Sequence, residues 1–275
     1  YFGKWHCGVV RDQIPESFKD RPTGSGTPTT RTAEYHRAGF QDWAAFEVVN
    51  APFSTYVYRN NDENPTELDG YQTDALTDMA IDYINSYSRE EPFFLVLSVE
   101  PPHFPLDIDD KWKRLSPDSV EVRPNFAKRD GFFPYTPVIP DSDLRQILCN
   151  YYACVENLDW NIGRLMDAVS SVPGRAENTM TVYISDHGDY VGSHGLDTTK
   201  IQHHEESVRI PSLFHWPEHI PAQGMRNELF SLVDLFATTL EAAGLPVPSH
   251  NQGTSFAPAL FEKQFTGPDT VLLEM

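Results

Sequence analysis

Two apolar runs, "PFFLVLSVE" at 92–100 and "TMTVYISD" at 179–186, stand between stretches of helical periodicity, and this alternation constrains the fold more than any other feature of the chain. Neither run shows a clean inside–outside alternation, so each reads as a strand buried on both faces, the pattern of a parallel sheet covered by helices. Ahead of the first run, Tyr71, Leu76, Met79, Tyr83, Ile84 and Tyr87 recur at helical spacing. Ahead of the second, a helix starts near Asp141 or Ser142, either of which can cap it. That helix carries Leu144, Ile147, Leu148, Tyr151, Val155, Leu158, Ile162, Leu165 and Met166 on one broad face. "PSLFHWP" (211–217) reads as a further strand, and "SLVDLFATTLEAAGLPVP" as an amphipathic helix stopped by Gly244 and Pro246. Two short β-type runs, "AAFEVVN" and "STYVYRN", lie earlier. The fold class is therefore α/β, a mainly parallel sheet flanked by helices, and residues 1–275 read as one domain with no internal repeat.

Composition narrows the function classes. A net charge of −19 argues against nucleic acid as a partner, because such binding rests on Lys and Arg neutralising phosphates. It leaves room for a small anionic substrate, since screening over roughly 10 Å lets a few local cations dominate a pocket. No apolar run approaches the roughly 18 residues of a membrane span, so no transmembrane segment is expected. Cys7, Cys149 and Cys154 do not make a disulfide framework and read as ordinary thiols.

In sheets of this class, ligands bind beyond the carboxyl ends of the strands. Both long apolar runs end in chemistry. "SVEPPHFP" puts His103 just past the first, and "ISDHGD" puts Asp186 and His187 just past the second, with Gly188 allowing a tight turn. A carboxylate beside an imidazole suits a divalent cation, although a turn with Asp186 capping backbone amides reads equally well from these two residues alone. "GKWH" places Lys4 and His6 on one face if the segment is extended, an ammonium and an imidazole able to hold an anion and move a proton. Lys200 offers a second ammonium for an oxyanion. His203 and His204 read as a solvated polar loop, and Arg209 as half of a structural ion pair at a strand entrance.

The ordered set "GKWH", "PFFLVLSVEPPHFP", "SDHGDYVGSHG", Lys200, "EESVRIP" and "LVDLFATTLEAAGLPVP" resembles the type I, formylglycine-dependent sulfatases of the alkaline phosphatase superfamily, from Tyr1 to about residue 260. The resemblance implies an alkaline-phosphatase-like fold, incomplete at both ends, and release of inorganic sulfate from a small-molecule or carbohydrate sulfate ester. It implies Asp186 and His187 as ligands of a divalent metal, Ca2+ foremost with Mg2+ or Mn2+ as alternatives. It makes Lys4 and Lys200 contacts to the sulfate and the nucleophile, His6 the neighbour of the nucleophile, and His103 the acid facing the ester oxygen. It also implies that His194 lies near the substrate. Two departures stand out. The stretch between Leu196 and Lys200, "DTT", is longer than the family pattern, so the loop is expected to bulge. The C/S-x-P-S-R motif that yields formylglycine, with its upstream Asp ligands, is absent, and "CGVVR" lacks the Pro and Ser that mark it. Cys7 is therefore rejected as nucleophile, and the chain is expected to be an internal fragment, inactive alone. Residues 11–68 and 104–140 are the expected specificity loops. A phosphonate monoester or phosphodiester hydrolase of the same superfamily, and an inactive anion-binding member, are the competing readings.

Overall fold

The computed structural model describes residues 1–7, 31–47, 49–126, 141–195, 200, 202–221, 224–261 and 264–273. The expectation of one domain meets a chain that divides into two compact units, Tyr1–Phe126 with Pro137–Val169 and Ala127–Thr136 with Ser170–Met275. Among the described residues the strands form two sheets, one in each unit.

The first unit is built on a five-stranded sheet. Its strands are β1 (Phe2–Lys4), β2 (Ala44–Phe46), β3 (Tyr56–Arg59), β4 (Thr66–Glu67) and β5 (Leu97–Ser98), in the order β4-β3-β2-β1-β5. β1 runs parallel to β2 and to β5, with Gly3 opposite Ala45 on one side and Ser98 on the other. β2–β3 and β3–β4 are antiparallel, so the sheet is mixed, and its parallel part is the part that carries the site motifs. The class is α/β as the alternation implies. Strand β5 occupies only two residues of the predicted run, and Phe94 is 74% exposed. An edge strand has a partner on one side only, which leaves this run half-buried rather than enclosed. Residues 44–67, inside a segment expected to form a specificity loop, instead supply three strands of the sheet, because Ala44, Ala45 and Phe46 are core residues.

Helix α1 (Gln72–Ser86) buries Leu76, Ala80 and Ile84, a four-residue recurrence that keeps one face against β1 and β5. Phe2, Phe46, Val57, Leu76 and Ala80 meet in the core beneath it. Helix α2 (Asp141–Ser170) starts where the sequence predicts and buries Leu144 and Leu148 of the predicted face, but its second half departs from it. Val155 is 41% exposed, whereas Asn157 and Asn161 are fully enclosed. The reason is polar: both amides donate to Asp74 Oδ1 on α1 at 2.7 Å, and enclosed amides must be satisfied. The proline-rich stretch after β5 is irregular as expected yet packed, with Leu106, Ile108 and Trp112 buried against Tyr71, Ala153 and Cys154. Residues 127–140 of that expected loop lie outside the described residues. Cys7, Cys149 and Cys154 are thiols, the last two buried, and burial pushes both of these up in pKa.

In the second unit, β6 (Thr181–Ile184) pairs with β7 (Ser212–His215) antiparallel, with Thr181 opposite His215 and Ile184 opposite Ser212. Both were expected as buried strands. All four β6 residues are only half-buried, and Leu213 on β7 is 59% exposed. Two strands cannot cover both of their own faces. Between them lies the short helix α3 (Glu205–Val208), and after them α4 (Leu232–Ala242) and α5 (Ala257–Leu260). Ser231 and Asp234 form a reciprocal capping box that starts α4, and Asp234 Oδ1 also accepts from Thr254 N at 2.7 Å. No helix among the described residues is long and apolar enough to cross a membrane.

Candidate active site

The seven predicted site residues divide between the units: Lys4, His6 and His103 belong to the first, and Asp186, His187, His194 and Lys200 to the second.

Lys4 is the last residue of β1, and His103 follows the adjacent parallel strand β5, so both stand past the carboxyl ends of neighbouring strands. The Lys4 ammonium is 3.1 Å from Glu100 Oε1, a carboxylate only 4% exposed. Glu100 Oε2 accepts from Gln72 Nε2 at 3.0 Å and from the Asn50 amide at 3.3 Å. The predicted pairing of Lys4 and His6 on one face does not carry through. β1 ends at Lys4, and His6 adopts a left-handed φ of +49°, which breaks the period of two on which the pairing depends. His6 is exposed.

His103 is set by a turn in which its N–H donates to Glu100 O at 2.8 Å. Its Nδ1 lies 2.7 Å from Phe104 O. A carbonyl only accepts, so Nδ1 carries the proton, and Nε2 is the ring nitrogen that gains or gives one.

The strand-end turn after β6 is wound by its own side chains. The His187 N–H donates to Asp186 Oδ1 at 2.9 Å, and Ser185 Oγ donates to His187 O at 2.7 Å. His187 Nδ1 donates to Gly188 O at 2.8 Å, so its Nε2 carries the lone pair, 3.5 Å from Asp186 Oδ2. An imidazole whose other nitrogen is engaged by a backbone carbonyl is the arrangement metal-binding histidines adopt, and the Asp186 carboxylate is 82% exposed. The donor set fits a divalent cation as two of its ligands. Among the described residues no group of three or more His, Cys, Asp and Glu could hold a metal ion.

This turn is docked on α3. Gly188 N donates to Ser207 O at 2.8 Å, and a Cβ on Gly188 would overlap the Glu206 carbonyl oxygen. Gly188→Ala must push the two segments apart. The expected outcome is a loss of about 1–3 kcal/mol, the usual scale of overpacking. A melting temperature within a degree of the parent's would show that the contact yields freely.

His194 takes a left-handed φ of +56° and sets its Nε2 3.1 Å from Glu206 Oε2. Its ring stacks on His204 with centroids 4.0 Å apart, above the fully buried Tyr190, whose phenol burial pushes up in pKa. His204 is exposed, as a polar loop residue would be, but it is also a stacking partner, which its sequence context did not reveal. Lys200 is exposed, and its carbonyl accepts from Ser207 Oγ at 2.8 Å. The expected bulge at 197–199 lies outside the described residues. Arg209 pairs with Glu205 at 3.8 Å, but both side chains are mostly exposed, so this is a surface contact rather than the structural pair expected. Glu100 and Glu206 were missed as site residues. Both sit inside quoted motifs, "SVEPPHFP" and "EESVRIP", yet only contacts distant in sequence show what they hold.

The model of the sulfatase family matches residues 1–245. An endo-4-O-sulfatase of Bacteroides thetaiotaomicron is 25% identical over 96% of this chain and 52% of its own length. An ulvan-active sulfatase of Formosa agariphila is 27% identical over 92% of this chain and 45% of its own. A solved structure from Bacteroides thetaiotaomicron, described in connection with the metabolism of multiple glycosaminoglycans, shares the fold with a TM-score of 0.78 at 24% identity, covering 98% of this chain and 56% of that one. The chain spans about half the length of the curated relatives it matches.

Proposed function

The chain belongs to the sulfatase family, and we propose from that premise that the protein carrying it hydrolyses a sulfuric ester bond and releases inorganic sulfate. The observation that carries the reading is the pair of strand ends in the first unit: an ammonium fixed on β1 and an imidazole past β5 whose Nε2 is the proton-exchanging nitrogen. Lys4 and Lys200 bind the sulfate group and offset the charge that builds on its oxygens. His103, protonated at Nε2, gives that proton to the departing alcohol oxygen. His6 serves the nucleophile, which we assign to no residue of this chain and expect as a formylglycine. His194, held by Glu206, contacts substrate.

Asp186 and His187 hold a divalent cation, Ca2+ foremost. When bound, that cation supplies Lewis-acid polarisation of a sulfate oxygen. We assign the substrate to the carbohydrate sulfates. One relative is named for ulvan, another N-acetylglucosamine-6-O-sulfatase, and the solved neighbour is described with glycosaminoglycans. Residues 104–126, whose buried Leu106 and Ile108 anchor an otherwise irregular path, are the segment we assign to substrate choice.

The test is a matched pair of esters given to the full-length protein. The sulfate ester is expected to have a kcat/KM at least about tenfold above its phosphonate analogue, a difference of about 1.4 kcal/mol in transition-state binding. The reverse order would make the protein a phosphonate hydrolase. Binding of sulfate and Ca2+ in calorimetry without turnover of either ester would make it an anion-binding member.

A further inference from the structure

We infer that Glu100 is a positioning residue that aims the Lys4 ammonium, an inference that rests on reading Lys4 as a sulfate contact. A carboxylate beside an anion-binding lysine is unexpected, because it repels the ligand the lysine attracts. What favours it is the way it is held. The Glu100 side chain is 4% exposed and that of Lys4 19%, with 3.1 Å between Oε1 and Nζ. Gln72, fully buried, grips Glu100 twice, donating from Nε2 to Oε2 at 3.0 Å and accepting the Glu100 N–H on Oε1 at 3.1 Å. Gln72 Nε2 also donates to Thr55 Oγ1 at 2.9 Å, and Thr55 Oγ1 donates to Ala51 O at 2.8 Å. The Asn50 amide adds a further donor to Oε2 at 3.3 Å.

The carboxylate is thus fixed by α1 and by the segment between β2 and β3 before it meets the lysine. A lysine side chain has many rotamers, and ordering it only when substrate arrives loses binding that a fixed partner retains. Electrostatic stabilisation is effective when its charges are already in place. Glu100 supplies that order by its fixed charge, and an ammonium has three donors with which to meet an anion. The same residue accepts the His103 N–H on its carbonyl, so one position of "SVEPPHFP" is tied to both residues we assign to the sulfate ester in this unit.

A double-mutant cycle in the full-length protein tests this, with rates normalised to the folded fraction measured by circular dichroism. Lys4→Met is expected to lower kcat/KM on a sulfate ester by about a hundredfold, the scale for one lost stabiliser. Glu100→Gln, which keeps the shape and one acceptor oxygen, is expected to lower it by about tenfold, and by less than about twofold in the Lys4→Met background, because a residue acting through Lys4 has nothing left to act on. Equal losses in both backgrounds would mean that Glu100 serves the fold, and parental rates for Glu100→Gln would mean that the lysine needs no guide. Either overturns the inference while leaving the role of Lys4 intact. A parental rate for Lys4→Met instead overturns the assignment of Lys4, and the inference with it. Should Glu100→Gln not fold, Glu100→Asp keeps the charge one methylene short and must show the same dependence on Lys4.

Discussion

Asp186→Ala in the full-length protein is expected to lower turnover of a sulfate ester by roughly two or more decades, the scale for losing one preorganised charge-stabilising group. The side chain is 82% exposed and its hydrogen bond is to the neighbouring His187 amide, so little of the fold depends on it. Substitutions at such positions change stability by about 0.5 kcal/mol or less. The loss should therefore appear in kcat and in Ca2+ affinity at an unchanged melting temperature. Chelation of the parent protein should bring its rate down to that of the variant, because both remove the same cation from the same carboxylate. Lys200→Ala belongs to the same scale, but its loss should persist at saturating Ca2+, since the lysine acts on substrate. Parental turnover in Asp186→Ala would move the metal, and the site with it, elsewhere in the protein.

The largest structural effect is expected for Gly3→Ala. Gly3 is the central residue of β1, between Ala45 on β2 and Ser98 on β5, and its φ of +114° lies where side-chain-bearing residues are strained. A Cβ there would overlap the Ser98 carbonyl oxygen and crowd its carbon as well. Backbone strain contributes about 1–3 kcal/mol and the overlap about as much again. A domain has only about 5–15 kcal/mol in hand. The alternative to unfolding is loss of the β1–β5 pairing, which would separate Lys4 from Glu100 and His103. Gly3→Ala should thus lower the denaturant midpoint sharply, and any folded protein should be inactive. A midpoint matching the parent's, with activity retained, would show that β5 can shift without consequence.

The different fates of the two glycines and the two glutamates show what a sequence can carry. Gly188 could be singled out from its place after Asp186 and His187, because a tight turn at a strand end is a local demand. Gly3 could not, because what its hydrogen avoids is Ser98, far away in the chain. Likewise, the apolar runs and their spacing determined the α/β class, the helices at 72–86 and 141–170 and the loops that follow the strands, since periodicity is set by the local backbone. The motif order determined the family. Only the tertiary structure decided that the sheet is mixed, that Asn157 and Asn161 replace Val155 in the interior, and that Glu100 and Glu206 hold Lys4 and His194. The first depends on which strands pair and the others on which polar groups find partners, and both kinds of partner come from segments that sequence proximity does not connect.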